Sequence, residues 1–347
     1  MKIGILSFAH THALSYAEFL RDRDDIDLLT TDPDRASRPA EESGGAALAR
    51  DLGVAYTESL DSLLAWEPDA IIVCSENSRH RAEVEKIAAA GVHILCEKPL
   101  ATTPEDARAM VQACDAAGVF LMTAFPVRFT SEFTQLQHVI RSGQLGSILS
   151  FSGTNNGRVP TSRAWFTDPG FAGGGSLTDH TVHVADLIFA ALPDAQVESV
   201  YAEANRILHP DLPVETAGLV LIRYTNGLSA VVDCSWSKPE HYPVWGGLTL
   251  RAITETNIVD LNPFASRVDG FSERERSPLW LSYGQDTNAT MIEEFLSAVA
   301  EGRQPVPSGR DGLRTVEIVS AAYESLTTRK PVTLSPSASS HPDEAHP

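Results

Sequence analysis

Asp69-Ala70-Ile71-Ile72-Val73-Cys74-Ser75-Glu76-Asn77-Ser78-Arg79-His80 is the stretch that decides the fold. From Ala70 to Cys74 it is apolar without interruption, the pattern of a strand covered on both faces rather than on one. A helix is predicted over 79–90, where Gly91 stops it, and 92–96 is the next buried strand. Residues 104–117 follow as a helix with Pro104 at its start and Gly118 just beyond its end, and 119–123 is a further strand. Toward the N-terminus the same alternation holds. Strands are predicted at 3–6 and 26–31. Helices are predicted at 13–21, at 39–51 around Gly44-Gly45, and at 60–65. Strands alternating with helices imply an α/β domain built on a doubly wound parallel sheet.

The rhythm changes after about residue 145. Strand-like stretches at 148–153, 197–204, 217–224, 228–237 and 248–254 follow one another, and Asn226-Gly227 between two of them is a hairpin signal. One helix over 177–191 interrupts them, and helices over 288–301 and 312–328 close the chain. The second half therefore reads as an α+β domain with an open, mostly antiparallel sheet. The expected division is 1–124, 125–334, and a disordered tail at 335–347 rich in Ser, Pro and charge.

A length of 347 residues suits two domains better than one core. The net charge of −19 repels phosphate-rich surfaces, so nucleic acid and anionic membranes are excluded as partners. A dinucleotide is not excluded, because backbone N–H groups and a helix N-terminus hold it locally. No apolar run reaches membrane-spanning length, and Met1-Lys2-Ile3-Gly4-Ile5-Leu6 gives way at once to Ser7 and histidines, unlike a signal peptide. The four cysteines (Cys74, Cys96, Cys114, Cys234) lack CxxC spacing and read as reduced, buried thiols of a cytoplasmic protein.

The first strand-to-helix turn is where a phosphate-binding glycine fingerprint belongs. A G-x-G-x-x-G pattern would place glycine at 7, 9 and 12, and the chain has Ser7, Ala9 and His12, with Phe8, His10 and Thr11 between. Two of the three are small enough for a pyrophosphate to approach, whereas His12 lacks the glycine that allows close strand–helix packing. Asp32 ends the second strand about 20 residues on, where a carboxylate accepts from the adenosine ribose and disfavours a 2′-phosphate. A turn-forming Asp before Pro33 is the other reading.

Several blocks together resemble the glucose–fructose oxidoreductase / inositol dehydrogenase / rhizopine-catabolism (Gfo/Idh/MocA) family. They are Ile71 to His80, Cys96-Glu97-Lys98-Pro99, Ala124-Phe125-Pro126-Val127-Arg128-Phe129, Gly173 to Asp186 with Asp179 and His183, Val214-Glu215-Thr216, and Ser308 to Arg314. The resemblance spans residues 2–333. It implies a Rossmann domain, a second domain whose sheet forms a homodimer or homotetramer, and NAD(P)-linked oxidation or reduction of a sugar or polyol. It also implies that Lys98 and His183 are catalytic, that Asp179 touches substrate, that Glu97 lies near the nicotinamide ribose, and that Pro99 follows a cis bond. Ser75, Asn77 and His80 match the loop that passes the cofactor, and Arg128 supports the cofactor or substrate side.

The residue types suit that chemistry. Alcohol oxidation needs a base at the hydroxyl and a positive group for the developing alkoxide; His183 fits the first role and Lys98 the second. Asp179 and His183 are four apart, hence on one helix face. Asn155, Trp165 and His180 are further candidates for substrate contact. The expected site has no metal. The alternative is a zinc-type cluster drawn from His12, His180 and His183 with Asp179, ligand types suited to a transition metal. Two other functions remain open on the same fold: a non-catalytic nucleotide- or sugar-binding regulator, and a redox-neutral sugar-modifying enzyme.

Overall fold

In the computed structural model, residues 1–274 and 276–334 are described, and the tail expected at 335–347 lies outside them. The first sheet is six-stranded and parallel, in the order β3-β2-β1-β4-β5-β6. Its strands are β1 (Lys2–Leu6), β2 (Asp27–Thr31), β3 (Ala55–Thr57), β4 (Ala70–Val73), β5 (His93–Cys96) and β6 (Leu121–Thr123). Both faces are buried, and the period of two decides which residue goes where. Ile3, Ile5, Ala70 and Ile72 join one apolar cluster; Leu6, Ile71, Val73 and Ile94 join the other. The connecting helices are α1 (His12–Arg21), α2 (Gly45–Leu52), α3 (Leu60–Ala65), α4 (His80–Ala89) and α5 (Pro104–Ala117). The helix expected over 39–51 begins only at Gly45, because Gly45 sits at φ 63 and cannot continue a helix from its N-terminal side.

After α6 (Ser131–Arg141), β7 (Ile148–Gly157) enters a second, seven-stranded sheet in the order β12-β11-β7-β10-β9-β8-β15. The remaining members are β8 (Val197–Asn205), β9 (Ala217–Tyr224), β10 (Ser229–Ser235), β11 (Gly246–Thr254), β12 (Ile258–Leu261) and β15 (Val332–Thr333). Only β10 and β7 pair in parallel; the other neighbours are antiparallel. The short α7 (Pro169–Ala172) and the long α8 (Ser176–Ala191) lie between β7 and β8, and α8 is buried along its whole length. Inward residues Val220, Ile222, Ala230, Val232, Leu248 and Leu250 pack on α8 residues Val184, Leu187 and Ile188, while Leu149, Leu219, Leu221 and Ile253 remain exposed. A separate hairpin, β13 (Arg267–Ser272) with β14 (Ser277–Ser282), follows.

The closing helices divide between the sheets. α9 (Thr287–Glu301) sends Met291, Ile292 and Phe295 into the cluster of Ile3, Ile5 and Tyr16, completing one face of the first sheet although it follows the second in sequence. α10 (Gly309–Thr328) packs on α5 and α8, and its Ser308–Asp311 capping box fixes where it starts. Among the described residues no helix is long and apolar enough to cross a membrane.

Candidate active site

The two sheets meet at the carboxyl ends of β1, β4 and β5, where an open α/β sheet places its ligands. A cavity of about 1120 Å³ lies there, lined by His10, Thr11, His12, Lys98, Asn155, Asp179 and His183 among others. Lys98 leaves the end of β5, and the Lys98–Pro99 bond is cis. Asp179 and His183 are one turn apart on α8. The start of that helix is set by two glycines and a carboxylate. A Cβ on Gly174 would sit 1.9 Å from the Tyr323 hydroxyl and one on Gly175 2.0 Å from the Glu215 carbonyl. Glu215 Oε1 accepts from the backbone N–H of Gly175 and of Leu177 (both 3.0 Å) and from the Tyr323 hydroxyl (2.8 Å). A negative charge at a helix N-terminus is favourable, so the Val214-Glu215-Thr216 block anchors the helix that carries Asp179.

Lys98 Nζ donates to Asp179 Oδ1 at 2.6 Å, joining the first domain to the second through a buried ion pair. Asp179 Oδ2 also accepts from the Trp236 indole N–H (3.1 Å) and lies 3.1 Å from His180 Nε2. Burial alone would push the Asp179 carboxyl up, but Lys98, His180 and these hydrogen bonds hold it well below the usual carboxylate range. Burial, then the Lys98 charge, pushes His183 down, so its imidazole is neutral; its Nδ1 is buried with no hydrogen-bond partner among the described residues.

A second constellation lies beside it. Glu97, fully buried, accepts from the Tyr16 hydroxyl (2.7 Å) and the His12 ring Nδ1 (3.0 Å) on Oε1, and from the Lys98 N–H (3.2 Å) on Oε2. Burial works against its charge, yet His10, His12 and Tyr16 hold the carboxyl below its usual range. His10 Nδ1 accepts the His12 N–H (3.2 Å), and burial lowers its pKa to about 3, so this ring is a neutral acceptor.

Several sequence expectations change here. Glu97, expected near a ribose, spends its oxygens on Tyr16, His12 and its own chain. His180 does not line the cavity: its ring nitrogens face the Asn155 carbonyl (2.7 Å) and Asp179. Hence the metal alternative of His12, His180 and His183 does not assemble. Among the described residues His10, His12 and Glu97 bring ligand-type atoms within 4.8 Å of one another, a grouping that the Tyr16 and His12 hydrogen bonds already account for. Arg128, expected at the cofactor or substrate, is buried in ion pairs with Asp186 (2.5 Å) and Asp311 (3.3 Å). Trp165, expected on substrate, donates its indole N–H to the Ala9 carbonyl (3.0 Å). Phe8 is a core residue. His80 faces the carbonyls of Ser75, Pro99 and Leu100 and so braces the turn that carries Lys98. Ser75 Oγ donates to Glu83. Asn155 lines the cavity while its Nδ2 donates to the His180 carbonyl (3.2 Å).

A Rossmann sheet of this order implies a dinucleotide across the loop at 7–12. Four of the loop N–H groups are committed elsewhere: Phe8 to Asp32 Oδ1 (3.2 Å), Ala9 to Ser7 Oγ (3.1 Å), His10 to the Cys74 carbonyl (2.8 Å) and His12 to His10. Asp32, expected at the ribose, accepts from Ser7 Oγ (3.2 Å) and Phe8 N on one oxygen and from Arg38 and Gly45 N (2.7 Å) on the other. All four of its acceptor positions are in use. Arg163 and Trp165 both cap the Ala9 carbonyl, and Phe166 packs on His10 with ring centroids 5.4 Å apart. The nicotinamide end opens on the cavity, but the residues along the pyrophosphate path do not fit a dinucleotide as they stand.

A parallel Rossmann sheet joined to a mixed sheet, with Lys98 and Asp179 paired in the cleft between them, defines the class of two-domain dehydrogenase architectures. The chain belongs to the Gfo/Idh/MocA family. Residues 3–125 match its oxidoreductase family, NAD-binding Rossmann fold, and residues 133–256 match the GFO/IDH/MocA C-terminal domain. It is similar to a myo-inositol 2-dehydrogenase of Thermotoga maritima, 25% identical, with 96% of this chain and 98% of the relative covered. An inositol 2-dehydrogenase of Acidothermus cellulolyticus is 29% identical, with 96% and 94% covered. Among solved structures, GenD2 from gentamicin A biosynthesis in complex with NAD superposes with a TM-score of 0.85 at 23% identity, covering 96% of each chain.

Proposed function

We propose that the chain interconverts a secondary alcohol and a ketone or aldehyde on a sugar, inositol or related polyol. The observation that carries this reading is the Lys98–Asp179 pair, buried where the two domains meet and facing the same cavity as His183. The Lys98 ammonium polarises the reacting oxygen, stabilising an alkoxide in one direction and activating a carbonyl in the other. Asp179, itself held by the Trp236 indole N–H, keeps that ammonium in place. His183 is neutral and lines the cavity, so it is able to take the hydroxyl proton, while His12, tied to Glu97, offers a second imidazole on the same cavity. Asn155 and Thr11 supply polar lining for hydroxyl groups. The names of the relatives support the substrate class.

NAD in preference to NADP is the cofactor of this reading. The Asp32 carboxylate supports it, and Arg38 offsets part of that charge. The four free, buried cysteines support a reducing, cytoplasmic setting, and the exposed Leu149, Leu219, Leu221 and Ile253 on the outer sheet face support a homodimer or homotetramer through that face. A screen of sugars, inositols and sugar acids with NAD and NADP, followed by nicotinamide absorbance, tests the reading. Turnover that Lys98→Met abolishes is the expected result; turnover retained in that variant removes Lys98 from the chemistry. The covered loop favours one second reading, a regulator that binds its ligand without turnover, and the same screen separates the two.

A further inference from the structure

The disagreement between the family's dinucleotide path and this chain's loop has a specific physical form. Residues 158–172 leave the end of β7, cross from the second domain and lie on the loop at 7–12. The contacts are directional. Arg163 Nε and Trp165 Nε1 donate to the Ala9 carbonyl at 3.2 and 3.0 Å, the Ala164 N–H donates to Glu42 Oε1 at 2.7 Å, and Asn77 Nδ2 donates to the Ala172 carbonyl at 2.8 Å. Trp165 and Phe166 stack at 3.9 Å, and Trp165 closes a small apolar cluster with Ala9 and Ala172.

Two observations argue that this covering is displaceable and not a permanent plug. First, both residues that hold it keep a buried polar atom without a partner among the described residues, Glu42 Oε2 and Asn77 Oδ1, and Arg38 nearby in the chain keeps Nε and Nη1 unpaired. Unpaired buried polar groups oppose the packing that buries them, so the closed arrangement is held less firmly than its contacts suggest. Arg38, paired with Asp32 at the end of β2, thus holds two guanidinium donors suited to phosphate. Second, the segment ends at Gly173 (φ 81) and Gly174 (φ 158), backbone conformations that glycine adopts readily and that can absorb a hinge motion.

We propose that residues 158–172, docked on Glu42 and Asn77, are a cover over the dinucleotide path, and that a dinucleotide binds this chain only by displacing it. The inference rests on the oxidoreductase reading above. Apparent affinity is then the intrinsic affinity multiplied by the fraction of open molecules, and binding is limited by opening.

Stopped-flow NADH fluorescence on the full chain tests this, with Glu42→Met, which removes the acceptor of the Ala164 N–H, and Trp165→Phe, which removes the indole donor to the Ala9 carbonyl, as variants that each lose one hydrogen bond of the cover. In the wild type the observed binding rate should reach a plateau with NADH concentration. In each variant the plateau should rise and Kd should fall about five- to tenfold, the factor for one net hydrogen bond of roughly 1 kcal/mol. Hydrogen exchange of residues 163–172 should speed up when NADH binds. A wild-type rate linear in NADH, with variants of equal Kd and unchanged exchange, overturns the cover while leaving the oxidoreductase reading intact. No binding of NADH or NADPH at millimolar concentration to the wild type or either variant overturns both.

Discussion

Replacing Lys98 by methionine keeps the length and apolar stem of the side chain and removes one buried charge. What remains is the Asp179 carboxylate, buried at the junction of the two domains with the Trp236 indole and His180 as its remaining neighbours among the described residues. Breaking a buried pair by removing one member costs about 3–5 kcal/mol, because the other charge stays uncompensated. The surviving donors place Lys98→Met at the lower end, about 3 kcal/mol. Adding Asp179→Asn removes the stranded charge while Trp236 keeps an acceptor, so the double variant should recover about 2 kcal/mol of that loss. The pH dependence has a definite sign. In the wild type Asp179 is held below its unfolded value, so its contribution is present above the unfolded carboxylate pKa and is lost as pH falls. In Lys98→Met, burial raises the carboxyl instead, so the gap between the two proteins should narrow from pH 7 to pH 4. Urea unfolding of the wild type, both single variants and the double variant measures all of this as a double-mutant cycle. A cost below about 1 kcal/mol for Lys98→Met, or no recovery in the double variant, would refute the claim that this pair is desolvated and joins the domains.

Other outcomes follow from the same geometry. His10 has its pKa depressed to about 3, so its contribution to stability is complete above pH 6.5 and is lost as pH falls; from pH 6.5 to 5 the loss is about 2 kcal/mol, and a Tm series should show a shallower acid slope in His10→Gln. His183→Gln should lower kcat by roughly 10²–10⁴-fold with KM little changed, and an unchanged kcat in steady-state assays removes its proton role. Arg128→Ala should cost about 3–5 kcal/mol in urea unfolding, because Asp186 is left buried without its cation, while kcat of the folded fraction stays within about twofold.

Much of the fold was legible because central strands buried on both faces form uninterrupted apolar runs, as in Ala70–Val73. What escaped was short or locally ambiguous: Ala55–Thr57 is a three-residue edge strand, and α6 shows only Phe133 and Leu136 on its buried face. The Lys98–Asp179 contact joins residues 81 positions apart, and only the two motifs read together pointed to it. The cover over the loop had no signature at all, since its main anchor is the Ala9 carbonyl, a group every residue owns.

The loop, however, was marked in the sequence as unusual, and the structure gives that oddity a physical account. Where a fingerprint glycine belongs, Ser7 adopts φ 74, a left-handed conformation that costs a side-chain-bearing residue about 1–2 kcal/mol. The Ser7 hydroxyl then accepts from Ala9 N–H and donates to Asp32, and His12, at the third glycine position, reaches Glu97. Side chains at two of the replaced glycine positions thus take up hydrogen bonds within the loop and around Asp32 and Glu97. The serine at the first glycine position and the covering of the loop are physically compatible: the Ser7 hydroxyl takes up the Ala9 N–H, a donor that a bare glycine would leave without this partner beneath Trp165.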